Sequence, residues 1–257
     1  EGYFLSCLCV PEGDIRVVQA EDAAIYQRAV IQSRELLAPD ICRVILEPAT
    51  PLYYHAGQFL NLRRSDGLCR SYSLASVPNL DRYLEFHIKR LPGGQMSNWA
   101  FNEMKVGENV DIQGPNGACF YLPGKPEQNL LLIGSGTGLA PLVAIARDAL
   151  NDGHSGQVRL YHGSREPAGL YHRDSLFDLA QTYPNFSYTG CLSGENPPLG
   201  YASGRADDVA LGENKDLKDW RVYLCGNPPM VHAAKKRAFL AGADIEDIHA
   251  DPFELKE

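Results

Sequence analysis

The chain has 257 residues, enough for two domains with separate cores. Its composition, 44% hydrophobic and 22% charged, is that of an ordinary globular protein, and no apolar run approaches the ~20 residues a membrane helix needs. A formal net charge of −8, with no Lys/Arg-rich run, argues against nucleic acid as a partner.

The first residue is Glu1 rather than Met and no signal peptide precedes it, so an upstream stretch is expected to have been removed. Residues Glu1 to Gln19 read as a short strand carrying Cys7 and Cys9, neither with a partner at metal-ligand spacing. The seven cysteines are an odd number and widely spread, which disfavours a disulfide framework and favours a reducing cytoplasm. The seven histidines show no zinc spacing. The opening stretch also resembles the tail of a plant-type two-iron ferredoxin domain, where the last cluster ligand precedes a Pro and an Asp. Such a cluster needs a C-x₄-C-x₂-C run as well. That run is absent, so Cys7 would be an orphaned ligand and this chain alone is expected to hold no metal.

From Gln27 to about Leu122 short strands alternate with turns, the pattern of an antiparallel barrel or sandwich. Strands are predicted over Arg28–Arg34, Ile41–Glu47, Gln58–Arg63, Arg70–Leu74, Tyr83–Arg90 and Asn109–Gln113. Two motifs stand out. In Arg70-Ser71-Tyr72-Ser73, alternation sends Arg70 and Tyr72 to one face. A guanidinium beside an aromatic plane can grip a phosphate while the ring stacks on a flat heterocycle, although an ordinary half-buried strand would read the same way. In Gly93-Gly94-Gln95-Met96-Ser97 a glycine turn feeds a short helix, offering free N–H groups to a second phosphate or simply closing a hairpin.

The second half alternates strand and helix, as a doubly wound parallel sheet requires. Strand Leu130–Ile133 is followed by Gly134, Gly136, Thr137 and Gly138, with Pro141 opening a helix to Leu150. A strand, a glycine turn and a helix start together form an anion site. The turn departs from G-x-G-x-x-G at Leu139, and the acidic residue expected after the next strand is missing. Further strands are predicted at Val158–His162, Phe186–Cys191, Arg221–Cys225 and Ile245–Ala250, with helices near Ser175–Thr182 and Val231–Ala241. The segment Ser193–Gly204 is expected to be loop, followed by a short helix. Gly134–Pro141, Gly163–Arg165 and Cys225–Met230 all fall at carboxyl ends of strands, where such sheets bind ligands.

The ordered series HAGQFLNL, RSYSLAS, HIKRLPGGQMS, GENVDIQGPNG, LLIGSGTGLAPL and CGNPPM resembles the ferredoxin–NADP⁺ reductase superfamily from about Tyr26 to the end. The resemblance implies a flavin-binding antiparallel β-barrel over residues 26–124 and an NAD(P)-binding α/β domain over 125–257, behind a ferredoxin-like remnant and linker at 1–25. Arg70 would hold the flavin pyrophosphate, Tyr72 would stack on the isoalloxazine, and Ser73 would bond near its N5. Ile88 and Lys89 would line the flavin, and Gly94, Gln95, Met96 and Ser97 would bind its phosphates. Phe253 would cover the other flavin face, with Glu254 near N5. The pyrophosphate of NADH or NADPH would rest on the Gly134–Gly138 turn, with Pro141 at the start of the helix behind it. Cys225, followed by Gly226, Asn227 and Met230, would face the nicotinamide, and Ser164 and Arg165 would meet the adenosine ribose. Arg165 could read a 2′-phosphate, but the loop Leu192–Glu195 lacks a second Arg, so the reading leans slightly to NADH.

The ferredoxin-like opening points to reductases that serve bacterial oxygenases, which use FAD more often than FMN. The implied reaction takes hydride from NAD(P)H onto FAD, with Ser73, Cys225 and Tyr72 at the reacting rings, and passes single electrons to an iron–sulfur protein or oxygenase component. A 2Fe-2S cluster is implied only with an upstream ferredoxin domain. No nucleic acid or membrane partner is expected. The alternatives are a free flavin or haem-protein reductase and a non-catalytic flavin-binding electron-transfer subunit. The latter carries a C-terminal cysteine cluster in this superfamily, and only Cys225 occurs in the last 60 residues here.

Overall fold

The computed structural model describes residues 25–194 and 197–253. Cys7, Cys9 and Glu254 therefore lie outside the described residues. The first half forms one six-stranded antiparallel sheet from β1 (Gln27–Ala38), β2 (Ile41–Pro48), β3 (Phe59–Arg63), β4 (Cys69–Ser73), β5 (Leu84–Lys89) and β6 (Asn109–Asn116), in the order β4-β3-β6-β1-β2-β5. An antiparallel bridge from Leu74 to Phe86 and a bond from Ala75 N–H to the Glu85 carbonyl at 2.8 Å join its two edges, so the sheet closes as a barrel. Inward positions alternate along the strands, as Leu60 and Leu62 on β3 and Phe86 and Ile88 on β5 show. Helix α1 (Gln95–Asn102) plugs the barrel with Met96, Trp99 and Ala100.

The second half is a six-stranded, wholly parallel sheet. Its strands are β7 (Leu130–Ser135), β8 (Val158–Ser164), β9 (Phe186–Leu192), β10 (Ala202–Ser203), β11 (Arg221–Gly226) and β12 (Ile248–Pro252), ordered β10-β9-β8-β7-β11-β12. Leu130 to Ile133 are fully buried, as four consecutive aliphatics covered on both faces must be. Each such side chain contributes about 1.5–3 kcal/mol on burial. Helices α2 (Leu139–Asn151) and α3 (Arg173–Thr182) cover one face, and α4 (Ala206–Glu213) and α5 (Pro228–Leu240) the other.

Strands β1 and β6 run on to Ala38 and Asn116, past the predicted Arg34 and Gln113, and further boundaries in the second half also differ from the sequence reading. The segment 193–204 is not all loop, because Ala202 and Ser203 pair with Cys191 and Leu192 as a parallel edge. The stretch Ile245–Asp247 is a 3-10 turn, and the last strand begins only at Ile248. Helix α5 starts three residues early, since Asn227 caps it by accepting from Met230 N–H and Pro228 and Pro229 occupy first-turn positions that need no N–H. Among the described residues no helix is long and apolar enough to cross a membrane.

Candidate functional site

The strand order reverses between β7 and β11, the switch point at which sheets of this kind take ligands in a crevice beyond the carboxyl ends of the strands. The chain leaves β7 through a 3-10 turn, Gly136–Gly138, directly into α2. Gly136 has φ +55°, and an added Cβ would meet only the Lys89 ammonium at 3.9 Å, so this backbone is open to a close ligand. Gly138 is the opposite case. A Cβ there would run into the Cys225 carbonyl and stand 2.6 Å from its carbon, so the glycine lets α2 seat against β11. Pro141 falls in the first turn of α2, where its missing N–H costs nothing. Thr137 is half-buried on the turn. His162 on β8 donates from Nε2 to the Gly136 carbonyl at 3.0 Å, and burial lowers its pKa to about 4, so it holds the turn as a neutral ring.

On the other side of the crevice, Cys225 and Gly226 end β11. The Cys225 thiol is fully buried, 3.7 Å from the Cys119 sulfur, and burial pushes its pKa well up. It is a neutral, compact group rather than a thiolate nucleophile. Gly226, at φ +117°, packs against Ser135, whose hydroxyl accepts from Asn227 N–H at 3.1 Å. Met230 is buried beneath this corner. Phe253 is tied to the same corner by its N–H bonding the Gly226 carbonyl at 2.8 Å.

The barrel presents β4 to the crevice. Arg70 makes no ion pair among the described residues, and its Nη1 bonds only the neighbouring Cys69 carbonyl at 2.8 Å. Tyr72 is half-buried, and burial raises its pKa against the opposing Arg70 charge. Its ring stacks on no other aromatic and its hydroxyl has no partner among the described residues. A cation without a carboxylate beside an unstacked ring is a donor set for an anionic, planar ligand. Ser73 donates to Asp251 Oδ2 at 3.2 Å, linking β4 to the end of β12. Burial raises the Asp251 pKa, partly offset by that bond. Ile88 is fully buried, whereas Lys89 reaches out to Asp40 at 3.3 Å.

The second glycine turn also forms, with Gly94 as N-cap of α1 and Gln95 and Met96 in its first turn. Ser97 Oγ is committed inside it, accepting from Leu91 N–H at 3.1 Å and donating to the Gly94 carbonyl at 3.2 Å. What this turn offers a phosphate is its unpaired backbone N–H groups. Ser164 ends β8 and the exposed Arg165 follows it, across β7 from the Cys225 corner.

Sequence reading missed the side chains that fix the two halves against each other. Arg147 on α2 grips Asp81 of the barrel through two bonds of 2.8 Å. Arg221 donates to the Leu122 carbonyl at 2.6 Å. Cys119 supplies the second thiol at the Cys225 corner. No local motif surrounds any of these residues.

The model of the oxidoreductase FAD-binding domain matches residues 28–121, and that of the oxidoreductase NAD-binding domain matches residues 132–236. The chain is 33% identical over 257 residues to the ferredoxin–NAD(P)⁺ reductase component of naphthalene 1,2-dioxygenase/salicylate 5-hydroxylase systems from Ralstonia, covering 98% of this chain and 78% of that protein. It is 36% identical over 266 residues to the reductase subunit of an Amycolatopsis aromatic O-demethylase, covering 98% and 78%. Among solved structures, an Amycolatopsis cytochrome P450 reductase superposes with a TM-score of 0.84 at 36% identity, covering 89% of this chain and 70% of that one. The ferredoxin reductase of carbazole 1,9a-dioxygenase gives 0.80 at 27% identity, covering 90% and 70%. The chain therefore belongs to the ferredoxin–NADP⁺ reductase superfamily, as an FAD-dependent NAD(P)H oxidoreductase of the group that includes the reductase components of bacterial oxygenase systems.

Proposed function

We propose that this chain carries electrons from NAD(P)H through FAD to an iron–sulfur centre of an oxygenase system, and that the crevice between β4 and the β7/β11 switch point is where the two cofactors meet. The observation that carries the reading is that Ser73 of β4 bonds Asp251 beside Cys225, and Lys89 of β5 lies near Gly136, which brings three features to the one switch point. These are the unpaired Arg70 beside the unstacked Tyr72, the open Gly136 turn, and the compact Cys225–Gly226 corner. When bound, FAD supplies the chemistry of accepting two electrons together and releasing them one at a time.

Arg70 neutralises the flavin pyrophosphate, helped by the N–H groups of Gln95 and Met96 at the start of α1, with Gly94 as its cap, bonded through its own N–H to the Leu91 carbonyl, and Ser97 as its internal brace. Tyr72 offers its ring face and Lys89 a cation near the Gly136 turn, while Ile88, sealed in the barrel core, anchors β5 behind them. Ser73 presents its hydroxyl in a position fixed by Asp251. Gly134, Gly136, Thr137, Gly138 and Pro141 form the nucleotide pyrophosphate cradle, with the dipole of α2 behind it. Cys225 leaves room for the nicotinamide, while Gly226, Asn227 and Met230 shape that corner. Phe253 lies at the edge, on the strand end that also fixes Asp251. Arg165 and Ser164 meet the ribose. The catalytic contribution is positioning, because two rings held parallel and in contact need no acid–base pair.

Residues 26–124 act as the flavin domain and 125–257 as the nucleotide domain. This division is supported by the break between sheets from Asn116 to Leu130. Residues 1–25 are assigned to the end of a ferredoxin-like domain and its linker, with Cys7 an orphaned ligand. The unpaired thiols among the described residues favour a cytoplasmic setting. The test is reconstitution: the purified chain takes up one FAD per chain, and Arg70→Ala and Tyr72→Ala each weaken uptake at least roughly tenfold, as loss of a charge-assisted bond or an aromatic contact requires. Uptake by the variants equal to wild type would refute the assignment.

A further inference from the structure

Behind the nucleotide turn, at the seam between the halves, lies a polar cluster that the redox site does not use. Glu85 and His87 are two apart on β5 and so share a face of the strand. His172 comes from the other half, as the residue preceding α3. One ligand atom from each of the three lies within 4.8 Å of the other two. Glu85 Oε1 meets His87 Nε2 at 2.9 Å, and the His87 and His172 rings are 5.0 Å apart between centroids. His172 adopts a left-handed backbone, φ +59°, and its imidazole makes no hydrogen bond among the described residues. A non-glycine residue in that conformation is uncommon and concentrates at functional positions.

We propose that Glu85, His87 and His172 bind a divalent transition cation of the zinc class, stapling the barrel to the segment before α3. Two imidazoles and one carboxylate are a zinc donor set, with water completing the fourth position. The surrounding contacts already orient these donors. Tyr171 hydroxyl bonds His87 Nδ1 at 3.1 Å, which fixes that ring and leaves Nε2 toward Glu85. Arg43 holds Glu85 Oε2 at 2.7 Å, so Oε1, which bonds His87 Nε2, is the oxygen that exchanges its partner for a cation. Burial favours the neutral ring in both imidazoles. On binding, the Nε2 proton that His87 donates to Glu85 passes to Nδ1, where the Tyr171 hydroxyl oxygen accepts its hydrogen bond, and the freed Nε2 lone pair takes the cation. The charged groups around the cluster are Glu85, Arg43 and the Arg43 partner Glu35, with a net charge of −1. Donors on zinc stand about 3.3 Å apart, at bond lengths of about 2.0–2.1 Å, so the unpartnered His172 side chain swings in on binding. The histidines escaped sequence reading because 85 positions separate His87 from His172 in the chain and the motif exists only in the fold.

The test titrates Zn²⁺ into the FAD-loaded, chelator-stripped protein, in competition with a chromogenic zinc chelator and with thermal melts alongside. Wild type takes up one more equivalent than His172→Asn and melts higher with zinc. Asn tolerates the left-handed backbone, so that variant keeps the fold. If His172→Asn does not fold, Tyr171→Phe decides: it frees the His87 ring and weakens zinc roughly 10–100-fold. Binding to the folded variant equal to wild type overturns the proposal, whatever the free thiols bind in both.

Discussion

Gly138→Ala tests the packing that places the nucleotide turn. An alanine Cβ would be forced into the Cys225 carbonyl oxygen, 2.6 Å from the Cys225 carbon and 2.9 Å from Gly226 Cα. All three atoms are backbone, so no flexible side chain can yield. Ordinary van der Waals contact begins at 3.4 Å, so the start of α2 and the end of β11 must separate. In a close-packed interior such a shift costs about 1–3 kcal/mol. For a chain of this size each kcal/mol lowers Tm by about 2–4 °C. The kinetic effect is larger, since a misplacement of about 1 Å between reacting rings costs roughly 10²-fold in rate. Anaerobic stopped-flow reduction of the FAD-loaded variant by NADH, with melts in parallel, reads both. Gly212→Ala is the control: it lies in α4 with nothing within 4 Å of its Cβ, and it gains about 0.5–1 kcal/mol. A Gly138→Ala protein that melts and reduces like wild type would refute the reasoning.

Three other perturbations follow from the same geometry. Arg165→Ala harms flavin reduction by NADPH far more than by NADH, because only the former offers a 2′-phosphate; equal losses would show that Arg165 does not read it. Arg147→Ala breaks the two-bond grip on Asp81 and costs on the order of 1 kcal/mol, since both partners are partly exposed; a double-mutant cycle with Asp81→Ala that shows no coupling contradicts it. His162 has a folded pKa of about 4 against 6.5 unfolded, so the stability it contributes is complete above pH 6.5 and lost as pH falls toward 4. At about 1.4 kcal/mol per pH unit this amounts to roughly 3 kcal/mol. His172 adds loss of the same sign. In pH-resolved denaturant unfolding, His162→Gln flattens that slope by one proton, and an unchanged slope would remove the residue from the account.

The parts of the site legible in the sequence are those built from local chemistry. The Gly134–Gly138 turn is written in glycine spacing after an aliphatic run, and the Arg70–Ser73 strand in simple alternation. Both form as read, because backbone conformation decides them within a few residues. Pairings across the chain are not written locally. Ser73 and Asp251 are 178 positions apart and meet only because β12 lies beside β11 at the switch point. Arg147 and Asp81 look like ordinary surface charges until α2 is laid against the barrel. Pro228 and Pro229 read as loop in the sequence, whereas the Asn227 cap makes them the opening of α5. Strand β10 was missed because two residues carry no periodicity, and register against β9 alone defines them.

The most direct measurement is an anaerobic titration of the FAD-loaded chain with NADH, followed through the flavin absorption. The yellow band bleaches fully with one equivalent, and at least roughly tenfold more slowly in Cys225→Leu, whose bulk fills the nicotinamide corner. A flavin that stays oxidised under excess NADH and NADPH would contradict it.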